Sequence, residues 1–410
     1  LEQLAKQGMV FSAAYAPAPV CSPTRISLQT GKSPAALHWT KAGPVMTAAD
    51  NYPLLPPAIE KNIPTGETTI AEILKTAGYA TAHYGKWHLS GGGPEKHGYD
   101  VSDGDTDNKD AAPHVAPNSV DIFGITERAG EFMEKNVKAG KPFFMQLSHH
   151  ALHYPENADK ELVRKYAARS GGSIEDKNVQ RMALAEQLDQ GVGLIMKKVD
   201  DLGIADLTYV IYMSDNGGGG GKKGDRPLTA GKGGVWEGGI RVPLIIRGPG
   251  VKAGVYCNTP IVGYDLFPTL CALGGITEPL PNGVEGGNIA PLFATGTGVV
   301  SRAREELVFH FPHYQGDTPQ SAIILGNYKL IKWYEDGHCR LFDLSMDIGE
   351  NNDLSQLMPK KTAELKALLE QYLKDIGAQL PVVNPGYDSA ATSTSRHAGK
   401  EGKKGGGRIR

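Results

Sequence analysis

Residues 69–89, TIAEILKTAGYATAHYGKWHL, hold the fold in miniature. Thr69 and Glu72 have the spacing of a capping box; Ile70, Ile73, Leu74 and Ala77 follow at helical intervals, and Gly78 can close the helix. Tyr79 to Tyr84 then reads as a buried strand, with Lys86 and His88 directly after it. The same order recurs along the chain. Phe143 to Leu147 is an apolar run introduced by Lys141-Pro142. Leu184, Leu188, Val192, Ile195, Met196 and Val199 mark one face of a helix ended by Leu202-Gly203, and Tyr209 to Met213 and Val242 to Ile246 read as further strands. Helices alternating with buried strands predict an α/β fold, with a central mixed sheet flanked by helices.

The pattern changes after residue 300. Glu306 to Phe311, Ala322 to Leu325, Tyr328 to Trp333 and Arg340 to Leu344 are short strand candidates separated by turns, and a helix runs from Pro359 to Ile376. From Pro381 periodicity is lost, and Ser393 to Arg410 is rich in Ser, Gly, Lys and Arg. The organisation expected is a catalytic unit over 1–300, a small C-terminal antiparallel-sheet subdomain over 301–378, and an extended, disordered tail over 379–410. A chain of 410 residues is long enough for both units. A formal net charge of -2 gives no drive toward nucleic acid, and no apolar stretch approaches a transmembrane span. Cys21, Cys257, Cys271 and Cys339 form no CxxC pair and no zinc-ligand spacing, which leaves room for a single bridge among the last three.

Polar clusters stand where strands are expected to end: Cys21 to Arg25, Lys86 with His88, His153, and Asp215-Asn216. The carboxyl ends of strands in an α/β sheet open on one crevice, so groups far apart in sequence can share a site. Singly, each has an ordinary reading: Asp-Asn-Gly is a turn, and a cysteine is a core residue. Four such clusters in matching places predict a shared site. The run Gly217 to Gly221 before Lys222-Lys223 lacks the glycine spacing and the hydroxyl residue of a nucleotide loop, and reads as a loop beside that site.

Cys21-x-Pro23-x-Arg25 with Thr30-Gly31, and Gly85-Lys86-Trp87-His88-Leu89, resemble the two signatures of the formylglycine-dependent sulfatases, of the alkaline-phosphatase-like superfamily. His149 to Pro155, Ser214-Asp215-Asn216-Gly217, Gly231-Lys232 and Glu237-Gly238-Gly239-x-Arg241-x-Pro243 are similar to the family's later motifs, and Leu341 to Asn352 to its C-terminal signature. The resemblance implies that a maturation enzyme oxidises Cys21 to formylglycine. Arg25, Lys86 and His88 would hold the hydrated aldehyde, His153 and Lys232 would contact the sulfate, and Asp215 and Asn216 would ligate a divalent ion, calcium rather than magnesium. One hydroxyl of the hydrate would attack sulfur, and loss of the second proton would release sulfate through a covalent sulfoenzyme. His153 would protonate the leaving oxygen and His88 accept from the second hydroxyl.

The family's first strand ends in an acidic pair that supplies two more metal ligands. Only twenty residues precede Cys21, and Glu2 is their sole acid, so the expectation is a fragment of an active parent, impaired in activity and folding on its own. Asp103, Asp105 and Asp107 read as a solvated acidic turn or an accessory ion site. His310, His313 and Tyr314 are candidates for the leaving-group pocket, or for an aromatic core strand. The substrate implied is a sulfated carbohydrate or aryl sulfate, in a periplasmic, extracellular or lysosomal-type compartment. A phosphonate monoester or phosphodiester hydrolase, and an inactive binding protein, are the competing readings.

Overall fold

The computed structural model describes residues 1–43, 51–218 and 227–389. The glycine–lysine run from 219 to 223 and the Ser393 to Arg410 tail lie outside the described residues. Two sheets carry the body of the chain before residue 300. One is parallel, with Ala80–Gly85 between Val101–Ser102 and Phe143–Ser148. The other is mixed, in the order Val210–Met213, Leu244–Arg247, Met9–Phe11, Val255–Cys257. The expected central sheet is thus in two parts among the described residues. The helix Lys177–Asp201 joins them: Ile195 packs with Ala80, Ala82 and Tyr84, while Val192 and Met196 pack with Ile245, Val210 and Tyr212.

Local signals behave as their chemistry requires. Thr69 and Glu72 form a reciprocal capping box at the start of the helix Ile70–Thr76. Pro243 lies just before its strand, which begins at Leu244, because proline cannot donate to a ladder. Met9–Phe11 and Val255–Cys257 were not legible, each being too short to show a period. All four cysteines are free, so the possible bridge does not form.

The C-terminal sheet is an antiparallel meander of Leu307–Phe311, Gln320–Leu325, Tyr328–Trp333 and Cys339–Asp343. Strand alternation gives it two apolar faces. Val308, Ile323, Leu330 and Leu341 face Leu365, Leu369 and Tyr372 of the helix Pro359–Asp375. Phe309, Phe311, Ala322, Ile331 and Phe342 pack instead with Tyr15, Val20, Val235 and Trp236 of the body before residue 300. Each large side chain so buried contributes about 1.5–3 kcal/mol. That second face is a wall behind Val20, the residue before Cys21.

An ionic clamp crosses the same seam. Lys329 is fully buried, with its ammonium 2.8 Å from both Glu237 and Glu350. Glu237 also accepts from Arg241 at 3.0 Å and Tyr15 at 3.1 Å, and Glu350 accepts the Glu237 backbone N–H at 2.8 Å. The tail expected from 379 is in part structured: Val382–Val383 pairs with Leu54–Leu55, and the Asn384 side chain donates to the Tyr52 carbonyl at 2.8 Å. Backbone pairing supplies this order without the side-chain periodicity that sequence reading relies on.

Candidate active site

Cys21 opens the helix Cys21–Thr30, after Val20 in extended conformation, and is 3% exposed. The positive end of that helix therefore underlies its side chain. The strand Ala80–Gly85 aims the next group. Gly85 has φ +84, and a Cβ there would stand 2.3 Å from the Ser148 carbonyl, so only glycine permits this turn off the sheet. Thr106 staples the turn: its Oγ1 donates to the Gly85 carbonyl at 2.6 Å and accepts the Trp87 N–H at 2.9 Å. Asp103 Oδ2 accepts the Gly85 N–H at 2.6 Å and is held by Arg128 at 2.7 Å. Asp103 thus positions the turn, whereas Asp105 and Asp107 serve as backbone acceptors at 3.3 Å from Gly92 and 2.7 Å from Lys109.

The turn brings His88 Nδ1 to 3.5 Å from Cys21 Sγ and 3.0 Å from Ser22 Oγ. Sγ marks where an oxygen of the matured side chain, bonded to Cβ, would stand. Arg25 Nη1 donates to the Lys86 carbonyl at 2.5 Å and Nη2 to Asp215 Oδ2 at 2.9 Å. Asp215 follows the strand Val210–Met213. The Lys232 N–H donates to the Gly218 carbonyl at 2.8 Å, and Gly233 N–H to Pro19 at 3.0 Å, which ties the Lys232 turn to the approach to Cys21. His153 is half-buried after the strand Phe143–Ser148, with Nδ1 3.1 Å from the Tyr154 carbonyl. If that nitrogen donates, Nε2 is left as an acceptor.

The field is cationic. Burial pushes the Asp215 carboxyl up, but Arg25, Lys86 and Lys232 outweigh it and hold the group below its usual range. Burial, then Arg25, lowers Lys86, with Lys232 adding to the fall. Burial, Lys86 and Arg25 push His88 down to about 3; burial, Lys232 and Lys86 push His153 to about 4. Both imidazoles are neutral at neutral pH.

A family model described as sulfatase matches residues 1–276, and one described as N-sulphoglucosamine sulphohydrolase, C-terminal, matches 231–379. The chain belongs to the sulfatase family. An arylsulfatase A of Homo sapiens is 30% identical, over 93% of this chain and 82% of that protein. An ulvan-active sulfatase of Formosa agariphila is 29% identical, over 92% and 76%. The solved structure of Ps i-CgsB with k-i-k-neocarrahexaose superposes with a TM-score of 0.75 at 24% identity, covering 91% of this chain and 86% of that one. PsFucS1 sulfatase from Pseudoalteromonas sp. superposes at 0.71 and 19% identity, over 92% and 84%. The α/β fold is therefore that of sulfatases, in the alkaline-phosphatase-like superfamily, and this sulfatase is a sulfuric ester hydrolase. The competing phosphonate and binding-protein readings find no support among these relatives.

Sulfatases use a formylglycine and a divalent metal. In kind, the donors of this sulfatase suit a hard cation: Asp215 offers a carboxylate, and Asn216 Oδ1 is buried without a partner among the described residues. In number they fall short. Among the described residues no cluster of three or more metal-ligating His, Cys, Asp or Glu exists, and Arg25 already engages Asp215 Oδ2.

The expected pocket residues separate. His310 is buried with both nitrogens engaged, Nδ1 with Ser321 at 2.6 Å and Nε2 with the Gln379 carbonyl at 2.9 Å, so it is a satisfied core residue. Tyr314 stacks on Tyr52 with ring centroids 4.1 Å apart and donates to Glu335 at 2.8 Å. His313 is fully buried against Thr40, at 2.7 Å. Sequence reading passed over His150, which is 5% exposed, has an unpartnered Nδ1, and is pushed to about 4 by burial, Lys86 and Arg25. Its signal was the paired His149-His150.

Proposed function

We propose that this sulfatase hydrolyses sulfated saccharides at a site whose nucleophile is formylglycine made from Cys21. The observation that carries this reading is the contact of Cys21 with His88 inside a ring of Arg25, Lys86 and Lys232. The formylglycine hydrate supplies the attacking hydroxyl, and its collapse to aldehyde frees the sulfate. Neutral His88 accepts a proton at Nδ1, the atom that faces Cys21. Lys86, Lys232 and Arg25 stabilise the charge that grows on the sulfonate oxygens. His153 stands ready at Nε2 beside the leaving oxygen; because it is neutral in the free protein, the incoming anion must raise it before it can act as an acid. Asp215 and Asn216 are the two oxygen donors this chain would offer a divalent ion, calcium by preference. The ulvan-active relative favours a saccharide over a simple aryl sulfate.

The same reading assigns catalysis to residues 1–300, with 301–378 as the subdomain that braces Val20 and Trp236. It calls for a maturation enzyme that modifies Cys21, and for a non-cytosolic compartment of the periplasmic, extracellular or lysosomal kind. The test is to produce the protein alongside a formylglycine-generating enzyme, follow the Cys21 peptide by mass spectrometry, and assay matched aryl sulfate and aryl phosphonate esters. Loss of the Cys21 sulfur together with sulfate-ester preference is expected. An unmodified thiol, or preference for the phosphonate, would overturn the assignment.

A further inference from the structure

Ser22 follows Cys21 directly, and its hydroxyl reaches the same imidazole nitrogen. It is the second residue of the helix Cys21–Thr30 and is 2% exposed. Its Oγ lies 3.0 Å from His88 Nδ1, closer than Cys21 Sγ at 3.5 Å. A serine inside a helix can give its hydroxyl hydrogen to a carbonyl three or four residues back. Here those carbonyls belong to Pro19 and Ala18, which precede the helix and already accept the Gly233 N–H at 3.0 Å and Thr24 Oγ1 at 3.2 Å. Among the described residues, His88 is the one hydrogen-bond partner of the Ser22 hydroxyl.

That partner fixes the direction of the bond. His88 is neutral, because burial, Lys86 and Arg25 push it down to about 3 against the opposing pull of Asp107 and Asp215. A neutral imidazole carries its hydrogen on one nitrogen only. If Nδ1 held it, Nδ1 would donate to Ser22, and the Ser22 O–H would be a buried donor without an acceptor, a costly arrangement. With the hydrogen on Nε2, Ser22 donates to Nδ1 and its own hydrogen is met. The backbone of His88 is already pinned: its N–H donates to the Thr106 carbonyl at 2.8 Å, with φ +60. What remains to be set is the rotation of the ring and the nitrogen that carries the hydrogen. The Ser22 hydroxyl bears on both.

We propose that Ser22 is a positioning residue, whose hydroxyl holds His88 in the tautomer with a bare Nδ1 facing the Cys21 side chain. The proposal rests on the sulfatase reading of the Cys21 cluster and deepens it, since only a bare Nδ1 can take up the proton whose removal frees the sulfate. Nδ1 takes that proton as its lone pair forms the N–H bond. The electron pair left on oxygen closes the carbonyl and expels sulfate, while Ser22 turns from donor to acceptor. A hydroxyl serves both states of the ring, and a methyl group serves neither.

The first test needs no turnover. Nitrogen-15 spectra of histidine-labelled protein, with the His88 signals identified by their loss in His88→Gln, report which ring nitrogen carries the hydrogen at neutral pH. A bare Nδ1 is expected, and Ser22→Ala is expected to give a mixture of the two tautomers. Alanine is smaller than serine and a strong helix former, so the helix should survive the change. A protonated Nδ1 in the unsubstituted chain, or identical spectra for it and Ser22→Ala, overturns the proposal. The second test uses protein matured at Cys21, with equal conversion of each variant checked by mass spectrometry. Ser22→Ala is expected to lower kcat on an aryl sulfate about tenfold, with KM within about twofold. Because Ser22 acts through His88, its effect should shrink to under about twofold in a His88→Gln background. An unchanged kcat, or a tenfold loss that persists in that background, overturns the positioning role. Full turnover by His88→Gln would instead refute the catalytic reading of His88, whatever tautomer the spectra show.

Discussion

The Arg25 guanidinium links the Lys86 carbonyl, at 2.5 Å, to the Asp215 carboxylate, at 2.9 Å, across 190 residues of sequence. One planar cation therefore sets the spacing between the cysteine helix and two strand ends. Lysine carries a single point of charge and cannot make both bonds. Arg25→Lys is expected to lower kcat/KM on an aryl sulfate about 10²–10³-fold, the size of losing an oriented donor in a preorganised site. Steady-state kinetics read this, and thermal melting shows whether the fold is spared.

His88 should matter to turnover more than to binding. Gln at position 88 keeps an amide near Cys21 but cannot take up a proton, so His88→Gln is expected to reduce kcat about 10²–10⁴-fold with a smaller change in KM. Because His88 and His153 are pushed down to about 3 and 4, both stay neutral until the solution is well below pH 6. The profile of kcat/KM against pH should accordingly show no histidine inflection between pH 6 and 7; an inflection there would contradict the assignment.

Acid should weaken the fold itself. His83 and His313 are held at about 3, and His149, His150 and His310 at about 4, with burial the first cause in each case. In the unfolded chain a histidine titrates near 6.5, so below that pH the unfolded state binds more protons than the folded one. Stability is thus retained above about pH 6.5 and is lost as pH falls toward about 4. The melting temperature is expected to drop by several degrees between pH 7 and pH 5, and His310→Gln should flatten that slope.

Lys329 joins the two units through Glu237 and Glu350. These carboxylates draw Lys329 upward against the pull of burial, while burial is the first cause raising Glu350. Lys329→Met would leave two carboxylates in the seam without their common cation. Chemical denaturation is expected to show a loss of about 3–5 kcal/mol, the range for breaking one partner out of a buried pair.

Calcium should bind this chain weakly. Asp215 and Asn216 supply two oxygens where the ion takes six to eight, so titration calorimetry is expected to give a Kd no tighter than about 10⁻³ M. Tight one-to-one binding would show further ligands that the donor set does not contain.

Much was readable before any coordinates. The Thr69–Glu72 capping box, the Ala80–Gly85 strand and the long helix through Leu188 declare themselves, because caps and periodicity are local. The clusters carrying Cys21, Arg25, Lys86, His88, His153 and Asp215 were visible at expected strand ends, since an α/β sheet places such ends at one edge, whereas Lys232 was reached only through the family resemblance. Short strands such as Met9–Phe11, and the Val382–Val383 pairing, left no trace, because their order comes from partners distant in sequence.

The amino-acid order by itself determined the family, the nucleophile candidate and the alternation of helix and strand, all of which reside in contiguous residue types. Only the tertiary structure decided which histidines stand beside Cys21 and which are tied into the packing. His310 has both nitrogens engaged and His88 faces Cys21, while His313 Nδ1 is buried without a partner among the described residues. A side chain's role there depends on its hydrogen-bond partners and on the charges around it, and folding assembles both from segments hundreds of residues apart.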